Sequence, residues 1–299
     1  MLSDDELKAA IVSFLDDYSI EATPHDASKL DSFAEALKPG TSVYVAHIPG
    51  LPIESVIEFA EQIRARGLSP VPHIIARKLT SEDQLDRALA RLQDSGIDQA
   101  LVVAGDEAVP GARFDSSLEV LQTGLFGRHG FREVGVAGHP EGSNAIGAER
   151  VEQALAAKAE FAKSAGFDLR IVTQFGFNPQ AVIDWERETS AAGINLPIHV
   201  GLPGPASLRQ LIRFAMVCGI GNSVNMLKKQ GASAANLLKA QAPDRPIIDF
   251  ARHRSENPAS RLVKVHFFAF GGLLKTARWA NTVLSGQFRL KDAATGFDV

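Results

Sequence analysis

The sequence predicts a (β/α)8 barrel, the TIM-barrel fold, and three observations lead to that prediction. Short β-rich runs alternate with amphipathic helical stretches along nearly all of the 299 residues. There are eight such strand–helix units, a number that favours a closed barrel over an open doubly wound sheet. A helical stretch separates each strand from the next, which is typical of right-handed crossovers between parallel strands.

The elements follow in order from the N-terminus. A leading helix is predicted at 3–16, where Ser-Asp-Asp-Glu combines an N-cap with an acidic first turn. The strands are predicted at 18–22, 42–48, 70–76, 99–104, 132–137, 169–174, 197–201 and 262–268. The helices between and after them are predicted at 26–38, 54–67, 80–95, 115–127, 147–165, 179–192, 205–218 and 271–285.

One connection is longer than a single crossover requires. We expect residues 222–256 to form an extra helix over 223–241 and then a Pro-rich connection to the eighth strand. Apart from the βα alternation there is no repeat and no low-complexity tract. The sequence therefore predicts a single (β/α)8 barrel domain over 1–299.

Composition narrows the function classes. A net charge of −4 and a pI near 6.1 argue against a nucleic-acid partner, because no basic stripe is present to replace counterions. The lone cysteine, Cys218, excludes an intrachain disulfide and a cysteine-rich metal cluster. The first residues are acidic where a signal peptide would be basic, and no apolar run reaches the roughly 20 residues that span a bilayer. We therefore expect a cytoplasmic protein without a membrane partner.

The most informative segment is 170–180. A buried apolar run ends there in Thr173-Gln174, the aromatic residues Phe175 and Phe177 follow, and Asn178-Pro179 starts a helix. An amide and flat apolar side chains at a strand end suit a planar heteroaromatic ligand. Ordinary core aromatics at a strand end are the alternative interpretation of this segment.

Polar side chains stand at the predicted strand ends, where a barrel of this class carries its active site. They are Glu21, His47, His73, Asp106, His139 with Glu141, Gln174, His199 and His266. No His-x-Glu-x-x-His spacing, nucleophile elbow or dinucleotide fingerprint occurs, so we predict no metal and neither a serine hydrolase nor a Rossmann enzyme. Lys264 lies on a predicted strand, where a lysine that forms a Schiff base would be expected. The pattern does not show in which direction its side chain points, so this possibility stays open.

Six segments, taken in order, resemble the methylenetetrahydrofolate reductase family, a flavin-containing (β/α)8 barrel of one-carbon metabolism. They are Ser19-Ile-Glu-Ala-Thr-Pro, Pro72-His-Ile, Ala104-Gly-Asp, Gly135-Val-Ala-Gly-His-Pro-Glu, Thr173-Gln-Phe-Gly-Phe and Val265-His-Phe-Phe. Their joint order along nearly the whole chain carries the resemblance. It implies FAD as cofactor, NADH or NADPH as donor, and reduction of 5,10-methylenetetrahydrofolate to 5-methyltetrahydrofolate.

The resemblance also implies roles for individual residues. Glu21 corresponds to the general acid that protonates the folate nitrogen, which requires a raised pKa. Asp106 corresponds to the aspartate beside flavin and pterin, and Gln174 to the glutamine that hydrogen-bonds the folate. Phe175 and Phe268 are expected near the substrate. The positions implied for FAD are His47, His73, Val103, Ala104, Gly105, Asp106, Ala137, His139, Ser143 and Lys163, with Lys158 as an alternative to Lys163.

Several positions depart from the family pattern. Ala104 stands where the family has an arginine, Leu208 lies near the position of a stacking aromatic, and Gly271-Gly272 replaces Asn-Arg. Two other functions therefore stay open: a flavin-independent folate barrel that transfers a methyl group, and a non-catalytic folate-binding or partner-binding barrel. The helical faces of 54–67 and 205–218 are candidates for pairing two copies, although simple packing explains them equally well.

Overall fold

The computed structural model describes residues 2–142, 147–217 and 240–299. Eight parallel strands form a closed barrel in the order β1–β8–β7–β6–β5–β4–β3–β2. They are β1 (Ser19–Ala22), β2 (Ser42–Val45), β3 (Ser69–Ile75), β4 (Gln99–Val103), β5 (Glu133–Gly138), β6 (Asp168–Phe175), β7 (Ile198–Pro203) and β8 (Leu262–Phe268). The predicted (β/α)8 fold is confirmed.

The helices are α1 (Asp4–Leu15), α2 (Leu30–Ala36), α3 (Ile53–Arg64), α4 (Glu82–Asp94), α5 (Ser117–Gln122), α6 (Leu125–Arg128), α7 (Ala148–Ala162), α8 (Pro179–Ala191), α9 (Leu208–Val217), α10 (Asp244–Glu256) and α11 (Leu273–Leu284). The predicted helix 26–38 begins as a 3-10 segment at Pro24, because Thr23 and Asp26 cap each other there. The predicted helix 115–127 is divided into α5 and α6 at Gly124, whose φ of +72° is left-handed. None of the described helices is long and apolar enough to cross a membrane.

The Pro-rich connection expected before the eighth strand is wrong, because α10 occupies most of it. Pro243 precedes this helix and Pro246 lies in its first turn, where a missing N–H costs no hydrogen bond. Its buried face includes Ile247, Ile248 and Phe250. Most of the predicted helix 223–241 lies outside the described residues, and its last two positions instead pair with 206–207 as a short antiparallel ladder.

Contacts divide the chain into two compact units. The β2–β5 unit comprises Glu21–Gly138 and Glu149–Val172, and the β7–β8 unit comprises Met1–Ile20, His139–Ala148 and Thr173–Val299. In the β2–β5 unit, Tyr44, Val71, Leu101 and Val172 form a buried cluster. The strand register pairs His73 with Leu101 and Ile75 with Val103, which brings the ends of β3 and β4 level.

In the β7–β8 unit, β8 pairs with β7 so that His266 lies beside Gly201 and Phe268 beside Pro203. The leading helix α1 packs against α10, α11 and β8. A capping box of Ser3 and Glu6 fixes its start. Lys264 forms an ion pair with Asp17 at 2.8 Å, which gives this lysine a structural partner.

Candidate functional site

Glu21 at the end of β1 and His73 in β3 form a close pair in the β2–β5 unit. Glu21 Oε2 lies 3.9 Å from His73 Nε2, and the two side chains are 19% and 12% exposed. Burial raises the pKa of Glu21 to about 8 and lowers that of His73 to about 3. Near neutral pH the carboxyl group therefore keeps its proton and the imidazole is uncharged.

His73 Nε2 is buried and has no hydrogen-bond partner among the described residues. The ring packs edge-on against Tyr44, with centroids 6.2 Å apart. Tyr44 in turn accepts a hydrogen bond of 3.0 Å from Nε of Arg170, which also forms an ion pair with Glu133. This buried network packs against one edge of the His73 ring. Nε2 of the same ring is the atom that lies 3.9 Å from Glu21 Oε2.

A cleft of about 430 Å³ opens beside this pair in the same unit. Its lining residues are His47, Gly50, Leu51, Pro52, Ile53, His73, Ile75, Lys78, Leu79, Thr80, Gln84, Val109 and Pro110. Burial is the main cause of the lowered pKa of His47, and the charge of Lys78 lowers this pKa further. A hydrogen bond with the backbone of Leu51 acts in the opposite direction. The cleft therefore has apolar walls and nitrogen donors, with no carboxylate among these lining residues.

The end of β4 is a tightly constrained turn. Gly105 has a φ of +86°, and a Cβ atom there would lie 2.4 Å from Cγ2 of Ile75, so only glycine fits. Arg77 holds this turn: its Nη1 donates to the carbonyl of Gly105 at 2.8 Å, and its backbone N–H donates to that of Ala104 at 3.0 Å. The carboxylate of Asp106 is exposed at the end of the turn.

The other positions implied for FAD differ in setting. Val103, Ala104, Ala137 and His139 are half-buried at the ends of β4 and β5. Ser143 lies outside the described residues. Lys163 follows the last residue of α7, is exposed and pairs with Glu160 at 2.5 Å. Lys158 is buried, and burial lowers the pKa of its ammonium group.

In the β7–β8 unit, Thr173 and Gly201 hold the backbone at Gln174. Thr173 Oγ1 accepts from the N–H of Gly201 at 2.8 Å and donates to the carbonyl of Gln174 at 2.9 Å. A Cβ atom on Gly201 would lie 2.4 Å from the carbonyl oxygen of Thr173, so this close approach requires glycine. Gln174 itself is half-buried.

An aromatic cluster surrounds the end of β6 in the same unit. Phe175 is only 2% exposed, and its ring centroid lies 5.4 Å from that of the half-buried Phe268. Phe214 stacks on Phe270 with centroids 4.1 Å apart. Phe270 has a φ of +48°, a strained value for a phenylalanine.

Sequence reasoning missed Arg77, Lys78, Phe214 and Phe270. The pair Arg77-Lys78 stands directly after β3, and a basic pair at a strand end was a usable signal. Phe214 lies on an amphipathic helix, where core packing accounts for an aromatic equally well. Leu208, singled out as a departure, is 1% exposed and belongs to the core cluster of this unit. Within the described ranges, no group of three or more potential metal ligands occurs.

Known proteins that resemble this chain include one family and two solved structures. The family model for methylenetetrahydrofolate reductase matches residues 52–229. A solved Clostridium thermocellum protein, described as uncharacterized and as binding two copies of 5-methyl-5,6,7,8-tetrahydrofolic acid, is 13% identical with a TM-score of 0.55, over 93% of this chain and 99% of that chain. Dihydropteroate synthase from Thermus thermophilus is 14% identical with a TM-score of 0.46, over 91% of this chain and 93% of that chain.

At these identities the Clostridium thermocellum structure supports the fold alone. The family assignment depends instead on the match to the family model, which covers more than half of the sequence. The chain belongs to the methylenetetrahydrofolate reductase family, and this membership supports a folate-related function.

Proposed function

We propose that this protein is a flavin-dependent reductase that converts 5,10-methylenetetrahydrofolate to 5-methyltetrahydrofolate. The observation that carries the proposal is Glu21, whose carboxyl group is largely buried and has a pKa raised to about 8. A carboxylic acid that keeps its proton at neutral pH is a suitable general acid. A binding protein has no need of that property, so Glu21 favours catalysis over simple folate binding.

Glu21 would act on the five-membered ring of the folate. Its proton passes to the ring nitrogen, the adjacent C–N bond breaks with its electron pair going to that nitrogen, and an iminium carbon is left to accept hydride. General acid catalysis of this kind contributes roughly 10²–10⁴-fold to a rate. The ionised Glu21 then recovers a proton before the next turnover.

His73 would keep Glu21 in its acidic form. A protonated histidine 3.9 Å away would stabilise the carboxylate, but burial holds the pKa of His73 at about 3. The ring therefore supplies bulk that excludes water and no opposing charge. Tyr44 and Arg170 position this ring from below.

The residues of the β2–β5 unit fit a flavin. FAD supplies, when bound, the hydride drawn from a reduced nicotinamide. The buried and unpartnered Nε2 of His73 suits a polar edge of a planar ring, and the small side chains of Ala104 and Ala137 leave the backbone at the ends of β4 and β5 accessible to a flat group. We expect His47, Val103 and Gly105 to complete the contacts of this unit.

Folate recognition is assigned to polar and aromatic residues. The exposed carboxylate of Asp106 suits the amino edge of a pterin, and the amide of Gln174 suits hydrogen bonds along the same class of ring. Phe268 is half-buried and offers an aromatic face, while the buried Phe175 supports it from below. NADH or NADPH as donor, a cytoplasmic location and pairing of two copies remain part of the proposal.

A second function, flavin-independent folate binding with methyl transfer, is favoured by the residues at positions implied for FAD. Ala104 stands in place of the family's arginine, and Lys163, expected at the FAD phosphates, is engaged by Glu160. The Clostridium thermocellum protein of the same fold is described as binding a methylated folate. The folate-facing residues Glu21, Asp106 and Gln174 serve either function.

The absorption spectrum of the freshly purified protein, recorded without oxygen before and after adding NADH, separates the two functions. Flavin bands that bleach with NADH support the reductase and identify the donor. Bands that bleach only on adding methyltetrahydrofolate support the reductase with another donor. A colourless protein that does not take up added FAD but binds methyltetrahydrofolate would replace the proposal with the flavin-independent function.

A further inference from the structure

We infer that the cleft lined by His47, Lys78 and Gln84 binds the diphosphate of a nucleotide, with Lys78 as the cation that recognises it. The inference rests on the proposed function, because FAD and reduced nicotinamides all carry such a diphosphate. It goes beyond that function in assigning the phosphates to the turn after β3 rather than to the lysines of the helix after β5.

The size and walls of the cleft suit a nucleotide. Its volume of about 430 Å³ lies within the roughly 300–1,000 Å³ typical of small-molecule sites. Leu51, Pro52, Val109 and Pro110 provide apolar surface for a flat base. The polar residues are confined to the histidines, Lys78, Thr80 and Gln84, so a ligand with one apolar and one charged part matches the lining.

Lys78 brings a positive charge that the cleft does not neutralise. This half-buried lysine forms no ion pair within the described part of the chain, and no aspartate or glutamate lines the cleft. Its charge contributes to the lowered pKa of His47. A cation that is partly removed from water and lacks a counter-ion favours an anionic ligand.

The neighbouring Arg77 differs from Lys78, because its guanidinium group already has hydrogen-bond partners within the protein. Its guanidinium is engaged by three carbonyl groups, those of Gly105, Asp106 and Asp115, at 2.8, 3.5 and 3.1 Å. Two consecutive basic residues therefore have different tasks. Arg77 holds the end of β4, whereas Lys78 is left for a ligand.

Gln84 is a further donor among the residues that line the cleft. Gln84 Oε1 accepts hydrogen bonds from the backbone N–H and the Oγ1 of Thr80, at 2.9 and 3.2 Å. The oxygen of this amide is therefore engaged, and its NH₂ group is the part left to donate. An ammonium and an amide NH₂ form a donor set that suits phosphate oxygens.

The lysines expected from the family are less suited to the phosphates. Lys163 forms an ion pair with Glu160. It follows α7, a helix of 15 residues, and therefore lies roughly 20 Å from the start of that helix. Burial lowers the pKa of Lys158, which weakens its charged form. Lys78, in contrast, forms no ion pair within the described residues.

Binding of three probes to the flavin-free protein tests the inference by calorimetry. The probes are ADP, which carries a diphosphate, riboflavin, which carries none, and p-aminobenzoylglutamate, whose carboxylates represent a folate tail. We expect Lys78→Ala to weaken ADP binding about tenfold or more and to leave riboflavin binding unchanged. Lys78→Arg should keep most of the affinity, and Lys275→Ala, which removes an exposed lysine outside the cleft, should keep all of it.

Two results would overturn the inference: equal ADP affinity in the wild type and Lys78→Ala, or a Lys78-dependent loss for p-aminobenzoylglutamate instead of ADP. Thermal melting checks that the variants fold, and the wild-type affinity for ADP must also fall with added salt. Lys78-dependent ADP binding in a protein that never takes up flavin would leave the inference standing and reject the proposed reductase. Bleaching by NADH without a Lys78 effect on ADP would do the reverse.

Discussion

Glu186 on α8 and Glu21 at the end of β1 are both largely removed from water, but their surroundings differ. The Glu186 side chain is 6% exposed and accepts hydrogen bonds from His253 Nε2 at 2.7 Å and Ser260 Oγ at 2.8 Å, and from the N–H of Arg261. Among the described residues, Glu21 has only His73 close by, and the distance of 3.9 Å between Oε2 and Nε2 is too long for a hydrogen bond. Glu186 thus accepts hydrogen bonds from three donors, whereas no donor lies within hydrogen-bond distance of Glu21 among the described residues.

Burial alone therefore does not identify a functional acid. Donors offset the cost of burying a polar group, so Glu186 can link α8, α10 and the segment before β8. Without donors, the same cost favours the protonated acid, as in Glu21. Arg77 and Lys78 repeat the contrast for positive charges, since the first is satisfied by carbonyl groups and the second has no ion pair in the described ranges.

The largest expected effect is on turnover in Glu21→Gln. The amide keeps the shape of the side chain but has no acidic proton, so folate reduction should fall about 10²–10⁴-fold. FAD binding and reduction by the donor should stay near wild type. Stopped-flow measurement of the two half-reactions separates these effects, and folate turnover near that of the wild type would reject Glu21 as the acid.

The pH dependence of stability sharpens the same assignment. The pKa of Glu21 is raised from 4.5 to about 8 on folding, so the folded state binds the proton more tightly. Its contribution is fully present below pH 4.5 and is lost as the pH rises through about 8. Relative to Glu21→Gln, the wild type should lose up to about 1.4 kcal/mol per pH unit in this window.

Urea unfolding of both proteins between pH 4 and pH 9 measures this difference, with the amide variant as the matched control. Above pH 8 the variant should be the more stable protein, and kcat of the wild type should decline over the same range. Parallel stability curves for the two proteins would show that Glu21 is already ionised when folded.

Glu186→Ala tests the other side of the comparison. Removing this carboxylate leaves His253, Ser260 and the N–H of Arg261 without their acceptor, so the free energy of unfolding should fall by about 3 kcal/mol. Because these residues connect α8, α10 and the start of β8, turnover per folded molecule should stay within about twofold. A variant with normal stability and lost turnover would contradict the contrast drawn between the two carboxylates.

The sequence predicted the barrel well because its signals are local and repeated. Each strand overlaps the predicted run, since alternation of β-rich and amphipathic segments depends on burial that every repeat must satisfy. The Pro-rich connection predicted before β8 is wrong, since α10 occupies most of it and the first turn of this helix tolerates Pro246. The sequence alone does not show whether a proline lies in the interior of a helix or in the first turn of a helix.

The candidate site was less accessible to sequence reasoning. Glu21 and His73 were named from their positions at strand ends. The distance of 3.9 Å between them, and the lack of a hydrogen-bond partner for His73 Nε2 among the described residues, depend on side-chain geometry across strands. Arg77 and Lys78 were missed because adjacent basic residues look alike in sequence. Only the carbonyl groups that surround one of them separate the two.

The smallest effect is expected for Arg77→Gln. Losing the guanidinium removes the hydrogen bonds to Gly105 and Asp115, and the free energy of unfolding should fall by about 1 to 2 kcal/mol. Because these bonds hold the turn that carries Asp106, KM for folate should rise several-fold with little change in kcat. Lys78→Gln, the matched neighbour, should leave stability unchanged. If Lys78→Gln destabilises the protein as much as Arg77→Gln, then Lys78 has a structural partner and the contrast between the two cations fails.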